Sequence, residues 1–283
     1  MAPLVHRLQI LAAAALFSTG GALVKACSLT GGQIACFRSG LAALVLIAAL
    51  PAWRRFFRPR SLAVGAAYGA TMLLFVTANK LTTAANTIFL QATAPMYLLV
   101  LGPWWLGERV RASDFVFAAA LGGGLGLFFL GLEPATLTAP DPLSGNVLAA
   151  ISGLTWALTL VGLRWLGRSN SPTGRDAAGE AVIAGNVLVF AVGLPLALPV
   201  ERIAGLDWAL LGFLGPVQIG LAYVLLARGV RHVRALEAGL LLLLEPVLNA
   251  LLAWVVHGET PGRWSLAGCV VILVATSVRT LRG

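Results

Sequence analysis

The sequence predicts an all-α integral membrane protein of ten transmembrane helices, arranged as two inverted five-helix repeats with both termini in the cytoplasm. Three observations predict it. Of 283 residues, 59% are hydrophobic and 11% charged, where a soluble domain carries about 25% charged residues. Apolar runs of about 20 residues, the length that spans a bilayer, recur ten times between charge clusters, Pro and Gly. The two halves also share residue spacings in the same order.

The first span, 8–25, is preceded only by Met1–Arg7, with His6 and Arg7 its polar flank. Its small residues lie inside the apolar stretch rather than after it, so it reads as an uncleaved helix. The second, 32–50, carries Arg38, and the third, 62–79, ends at Asn79-Lys80. The fourth, 86–106, contains Pro95, and the fifth, 114–131, contains GGGLG at 122–126. No lysine follows that glycine run, so it is no nucleotide loop. The sixth, 144–166, holds Trp156 away from its ends; 179–199 and 208–228 follow. The ninth, 236–257, holds Glu245-Pro246, and 264–280 closes the series. LEPATLTAPDPL (132–143) and GRSNSPTGRDAA (167–178) read as loops.

Ten spans put both termini on one side. With that side inside, fifteen of the twenty Lys and Arg residues are inner and four (Lys25, Lys80, Arg202, Arg263) outer, with Arg38 inside a span. This bias matches the positive-inside rule. Trp53, Trp104, Trp105, Trp165, Trp208 and Trp264 fall near span ends, as an interfacial belt would. The net charge of +9 is spread in short clusters between apolar runs, which suits anionic headgroups and argues against nucleic acid. Arg228, Arg231, His232 and Arg234 form one such cluster, topogenic or lipid-binding. Cys27, Cys36 and Cys269 have no metal-type spacing and read as buried small apolar residues, with a Cys27–Cys36 bridge as the alternative.

PMYLLVLGPWWLGE and PVLNALLAWVVHGE each run thirteen residues from Pro (95, 246) to Glu (108, 259). Phe17 precedes Lys25 by eight residues, and Trp156 precedes Arg164 by eight. These matches predict a first repeat at 1–135 and a second at 136–283. Five helices per half force the second half into the membrane upside down, the arrangement by which transporters alternate access around a midplane site.

With these residues in view, the chain resembles the EamA group of the drug/metabolite transporter superfamily. The likeness rests on the two Pro-x12-Glu stretches, LLLLEPV, RWSLAGCVVILVAT and AAALFSTGGALVK. Through ALFSTGGALVK and FVTANKLTTAANTIFLQATAPMYLLVLGP it is most similar to the aromatic amino acid exporter of that group. The resemblance implies export of Phe, Tyr, Trp and related molecules across a bacterial inner membrane.

The candidate cavity residues are those polar or aromatic at depth: Phe17, Arg38, Asn79, Gln91, Tyr97, Trp156, Tyr223, Glu245 and Asn249. A carboxylate in mid-membrane is costly unless it faces protein or water. Glu245 is therefore either a cavity group or a helix-bonding group beside Pro246. Arg38 either snorkels outward or meets a cargo carboxylate. Pro95 and Pro246 are hinges or static kinks. Phe17 and Trp156, mates under the repeat, fall on opposite cavity walls. TANKLTTAANT reads as a wet outer mouth with Lys80 an interfacial anchor. Gly65-x3-Gly69 and Gly122-x3-Gly126 read as close helix contacts.

An intramembrane enzyme is disfavoured. His6, His232 and His257 lie at span ends, Glu245 is the one deep carboxylate, and neither HExxH nor GxSxG occurs. No cofactor or metal site is predicted. The expected partners are a small-molecule cargo and membrane lipids, for a monomer or weak homo-oligomer.

Overall fold

The computed structural model describes residues 4–50, 57–107, 112–130, 134–168, 177–229, 241–242 and 244–282. Trp53, Glu108, loop residues 169–176 and Arg231, His232 and Arg234 lie outside them. All regular structure among the described residues is helical. The elements are α1 (Leu4–Ala26), α2 (Gly31–Ala49), α3 (Pro59–Leu81), α4 (Ala84–Leu106), α5 (Ala112–Leu130), α6 (Pro142–Arg168) and α7 (Ala177–Ala197). Then come α8 (Gly205–Phe213, Leu214–Leu221 and Ala222–Gly229 in succession), α9 (Leu244–His257) and α10 (Arg263–Arg282). Eight are long and apolar enough to cross a membrane, and α9 and α10 supply two shorter apolar stretches. Large apolar side chains such as Trp104, Val116, Trp254 and Val274 point outward, as a lipid-facing surface requires.

Local chemistry sets the helix ends. Thr30 and Gln33 form a reciprocal cap at the start of α2, with Thr30 Oγ1 accepting from Gln33 N (3.3 Å) and Gln33 Oε1 from Thr30 N (3.1 Å). Pro59 opens α3, where its missing N–H costs nothing. Thr83 accepts from Asn86 N at the start of α4. Gly107 and Gly258 close α4 and α9 at φ +64° and +66°, the left-handed turn only glycine adopts without strain. Both belong to the Gly-Glu pairs that end the two Pro-x12-Glu stretches.

Two helices are irregular where prolines remove donors. α4 breaks between Gln91 and Ala94: Pro95 has no N–H for the Gln91 carbonyl, and the chain tightens through Thr93 N→Leu90 O (3.3 Å) and Met96 N→Thr93 O (2.8 Å). Gly153 of α6 packs on this break, since a Cβ there would lie 3.1 Å from Leu90 O and 3.2 Å from Gln91 O. α8 widens into π-type turns over Leu214–Leu221, around Pro216.

The helices pack in related pairs. α1 meets α8 and α9, and α6 meets α3 and α4. α2 packs on α7 and α8, α3 on α7, and α5 on α10. These pairs map onto one another when every helix is replaced by the one five places along the chain, whereas the packing of α2 on α3 has no comparable counterpart between α7 and α8. Glycine allows the tightest crossings. Gly65 and Gly69 of α3 lie against Ala184 and Gly185 of α7, as the sequence predicts. Gly122 and Gly126 depart from the expectation: no atom lies within 4 Å of a Cβ built at Gly126, and only Met96 Sδ (3.5 Å) near one at Gly122. The close contact of α5 is instead Gly124 against Gly268 of α10.

One end of the bundle, predicted as the outer face, is tied by polar contacts. Lys80 Nζ donates to Cys27 O (2.6 Å), so it satisfies the carbonyl end of α1 rather than anchoring in headgroups. Ser28 donates to Asp207 (N to Oδ1, 2.7 Å; Oγ to Oδ2, 2.5 Å), and Gln33 Nε2 to Ala197 O (3.1 Å). Of residues 77–87, read as a wet mouth, Ala78, Asn79 and 82–87 are buried, and only Thr77, Lys80 and Leu81 are partly exposed. Thr82 and Asn86 instead bond Asn146 of α6. The three cysteines are free and buried.

Candidate functional site

A cavity of about 260 Å³ lies in the middle of the bundle, near the lower limit of about 300 Å³ for small-molecule pockets. Seven helices wall it: α1, α2, α3, α4, α6, α8 and α9. Each irregularity described above feeds it a side chain. The break in α4 presents Gln91 and Ala92, and the widened turns of α8 present Gln218 and Ile219. π-type turns often occur at functional sites because they turn side chains out of helical register.

Six of the nine predicted residues line this space: Phe17, Arg38, Gln91, Trp156, Tyr223 and Glu245, with Pro246 beside them. Three lie elsewhere. Asn79 is fully buried in α3, with neither side-chain polar atom hydrogen-bonded. Tyr97 turns toward α6 and donates to Ala150 O at 3.3 Å. Asn249 sits one helical turn beyond Glu245 and packs on Gly21 of α1, where a Cβ would lie 2.3 Å from its Oδ1. Pro95 lies just past the cavity and acts through the break it makes in α4. Gln218, Met72 and Phe75 line the cavity too. Gln218 is a lone amide in an apolar run, as Gln91 is, so the signal for it was present in the sequence. Met72 carries none.

The walls are aromatic on one side. Phe17 meets Tyr223 edge to face, with centroids 5.0 Å apart and planes at 68°, and Tyr223 meets Tyr68 at 5.7 Å and 79°. These are favoured ring geometries. Tyr68 is held in turn by Asn186 of α7 (Nδ2 to OH, 3.4 Å).

Two opposite charges face the same space without meeting. Arg38 is 2% exposed, and its Nη2 contacts Met72 Sδ at 3.5 Å while Nε has no partner. It therefore turns inward rather than snorkelling. Glu245 is partly exposed to the cavity. No ion pair within 4.0 Å joins the two. A buried guanidinium with free donors and a carboxylate with free acceptors are expensive alone. Each is left able to bond a group of opposite charge that enters the cavity.

Gln218 Nε2 donates to Phe17 O (3.2 Å) and fixes the α1 wall to α8. On the α6 side Thr71 Oγ1 bonds Thr155 Oγ1 (2.9 Å), next to Trp156. Among the described residues no group of three or more His, Cys, Asp and Glu side chains is arranged to hold a metal ion.

Comparison with known proteins agrees with this architecture. The model of the EamA-like transporter family matches residues 7–130 and again 143–280. A protein of Archaeoglobus fulgidus described as an uncharacterized transporter is 27% identical over 208 residues, covering 74% of this chain and 71% of its own. A solved crystal structure of a protein superposes with a TM-score of 0.63 at 21% identity, covering 98% of this chain and 96% of its own, which establishes likeness of fold.

Proposed function

The chain belongs to the EamA-like transporter family and is a multi-pass membrane transporter of small molecules; on that premise we propose that it exports aromatic amino acids from the cytoplasm by alternating access. One observation carries the cargo assignment. Arg38 and Glu245 are unpaired in one cavity whose walls carry Phe17, Trp156 and Tyr223. An amino acid brings a carboxylate for the guanidinium and an ammonium for the carboxylate. Its aromatic ring fits the edge and face contacts that the wall already makes with itself.

The mechanism rests on two inverted halves, 1–135 and 136–283, with ten spans and both termini inside a bacterial inner membrane. The helix pairing that survives a five-place shift supports this reading. So do the matching left-handed glycines at 107 and 258, and the two separate segments matched by the family model. Cargo enters the cavity, the halves rock about it, and the site opens to the other face. Pro95 and Pro246 absorb the bending where backbone bonds are already missing.

Counterflow in proteoliposomes tests the assignment. Vesicles loaded with unlabelled Trp should accumulate labelled Trp, Phe and Tyr, and should not accumulate Ala or Asp. Accumulation of a different cargo without these three eliminates the assignment. A second reading, export of aromatic cations, uses Glu245 and the ring wall but leaves Arg38 without a role. Transport of aromatic amines in preference to amino acids would select it. Repeating counterflow with and without a proton gradient decides whether Glu245 couples transport to protons.

A further inference from the structure

Between the cavity and the outer end of the bundle, α1, α4 and α9 meet in two stacked layers. Phe17 of α1 and Glu245 of α9 belong to the cavity. Four residues on, about 6 Å along the axes, Gly21 packs against Asn249. A Cβ at Gly21 would lie 2.3 Å from Asn249 Oδ1 and 3.0 Å from Ala84 Cβ, so three helices touch with no room for a side chain. Four residues further on α1, Lys25 Nζ lies 2.9 Å from Glu259 Oε1, with the two side chains 2% and 4% exposed. The ammonium also donates to Thr82 O (2.7 Å) and Thr138 O (2.5 Å). Glu259 Oε2 accepts from Ala84 N (2.9 Å) at the first turn of α4, where the helix dipole favours a carboxylate.

We propose that these two layers are the outer gate of the cavity, and that release of cargo requires Gly21 to part from Asn249 and Lys25 from Glu259. The inference rests on the alternating-access reading above and names the contacts that must break. Both layers join α1 to α9, helices from opposite sides of the proposed repeat boundary, so rocking the halves necessarily shears them. Their chemistry suits a contact that opens. Asn249 Oδ1 is buried against Gly21 with no hydrogen-bond partner, so the closed layer carries an unsatisfied acceptor that gains water on opening. The ion pair offsets that cost, and the set of Lys25, Glu259, Thr138 and Thr82 with Ala84 draws on four separate segments. Pulling any one away disperses the set, which makes the seal closed or open rather than gradually looser.

The test reads accessibility and needs no cargo. Ala92→Cys, on the cavity wall, is placed in a chain whose native cysteines are replaced by Ala. It is then labelled with a membrane-impermeant maleimide in sealed right-side-out and inside-out vesicles. The parent should label slowly from the Lys25 side. Lys25→Gln, Glu259→Gln and Gly21→Val should each raise that rate by about ten-fold or more, as expected when a closed population is shifted toward open. Lys25→Gln removes the charge and adds no bulk, so it serves if Gly21→Val does not fold; monodispersity in detergent identifies the folded variants. Unchanged labelling from the Lys25 side in folded Lys25→Gln and Glu259→Gln overturns the gate. A failed cargo panel with faster labelling leaves the gate standing and rejects only the cargo. Successful counterflow with unchanged labelling does the reverse.

Discussion

The rings of Phe17 and Tyr223 stand edge to face with centroids 5.0 Å apart, joining the α1 and α8 walls of the cavity. Gln218 also bonds Phe17 O from the same region of α8, so a backbone contact joins the two walls beside the rings.

Replacing both Phe17 and Trp156 with Ala should weaken binding of Trp or Phe more than either change alone. Each aromatic contact is worth about 0.5–1.5 kcal/mol, so the double variant should lose roughly 5- to 150-fold in affinity if the contacts add. Concentration-dependent counterflow measures it. Unchanged affinity removes both residues from the site.

Arg38 and Glu245 should read the two ends of the cargo separately. Arg38→Gln should impair transport of Trp and spare tryptamine, which has no carboxylate. Glu245→Gln should impair both and spare indole-3-propionate, which has no ammonium. Arg38→Lys should restore little, because an ammonium cannot present the planar fork a carboxylate prefers. Competition by the three ligands against labelled Trp reports each loss. Equal loss for all three after Arg38→Gln places that residue in folding rather than recognition.

The α3–α7 crossing should tolerate no added methyl. A Cβ at Gly185 would lie 2.4 Å from Tyr68 Cδ1 and 2.6 Å from Gly65 O. Gly185→Ala should therefore destabilise by about 1–3 kcal/mol and displace Tyr68 from Tyr223. Gly126→Ala meets open space and should be neutral or stabilising by about 0.5–1 kcal/mol, through helix propensity alone. Thermal unfolding in detergent compares the two. Equal melting temperatures contradict the packing described.

The break in α4 should depend on Gly153. A methyl there presses on Leu90 O and Gln91 O, so Gly153→Ala should push α6 from α4 and lower transport. Pro95→Ala should partly compensate, by returning a donor to the Gln91 carbonyl. The two single variants and the double variant form a cycle, and additive effects would show that the break and the contact are independent.

Cys27 should be a quiet background in thiol labelling. Burial pushes its thiol up to about 11, so at pH 8 only about one molecule in a thousand carries the reactive thiolate. Reactivity should rise with pH through pH 10. Rapid maleimide labelling at pH 7 would show that the α1–α2 turn opens.

The sequence by itself determined the membrane class, the apolar runs of the eight long helices to within a few residues, the repeat spacing and the identity of the deep polar groups; the start of the ninth run, predicted at 236, lies outside the described residues. Each follows from composition and from distances along the chain, which a bilayer translates directly into spans and depths. The two Gly-Glu pairs were legible for the same reason, since a left-handed turn is a local demand on one residue. Only the tertiary structure decided which face of each helix meets the cavity. Asn249 and Glu245 share a face of α9, yet one touches Gly21 and the other the cavity, because α1 presents a glycine to the first and lines the cavity with Phe17 beside the second. Lys25 and Lys80 look alike in sequence as outer charges. Packing turned one into the partner of Glu259 and the other into a cap on α1. Such outcomes depend on contacts between residues from about fifty to more than two hundred positions apart, and helix periodicity carries no information about them.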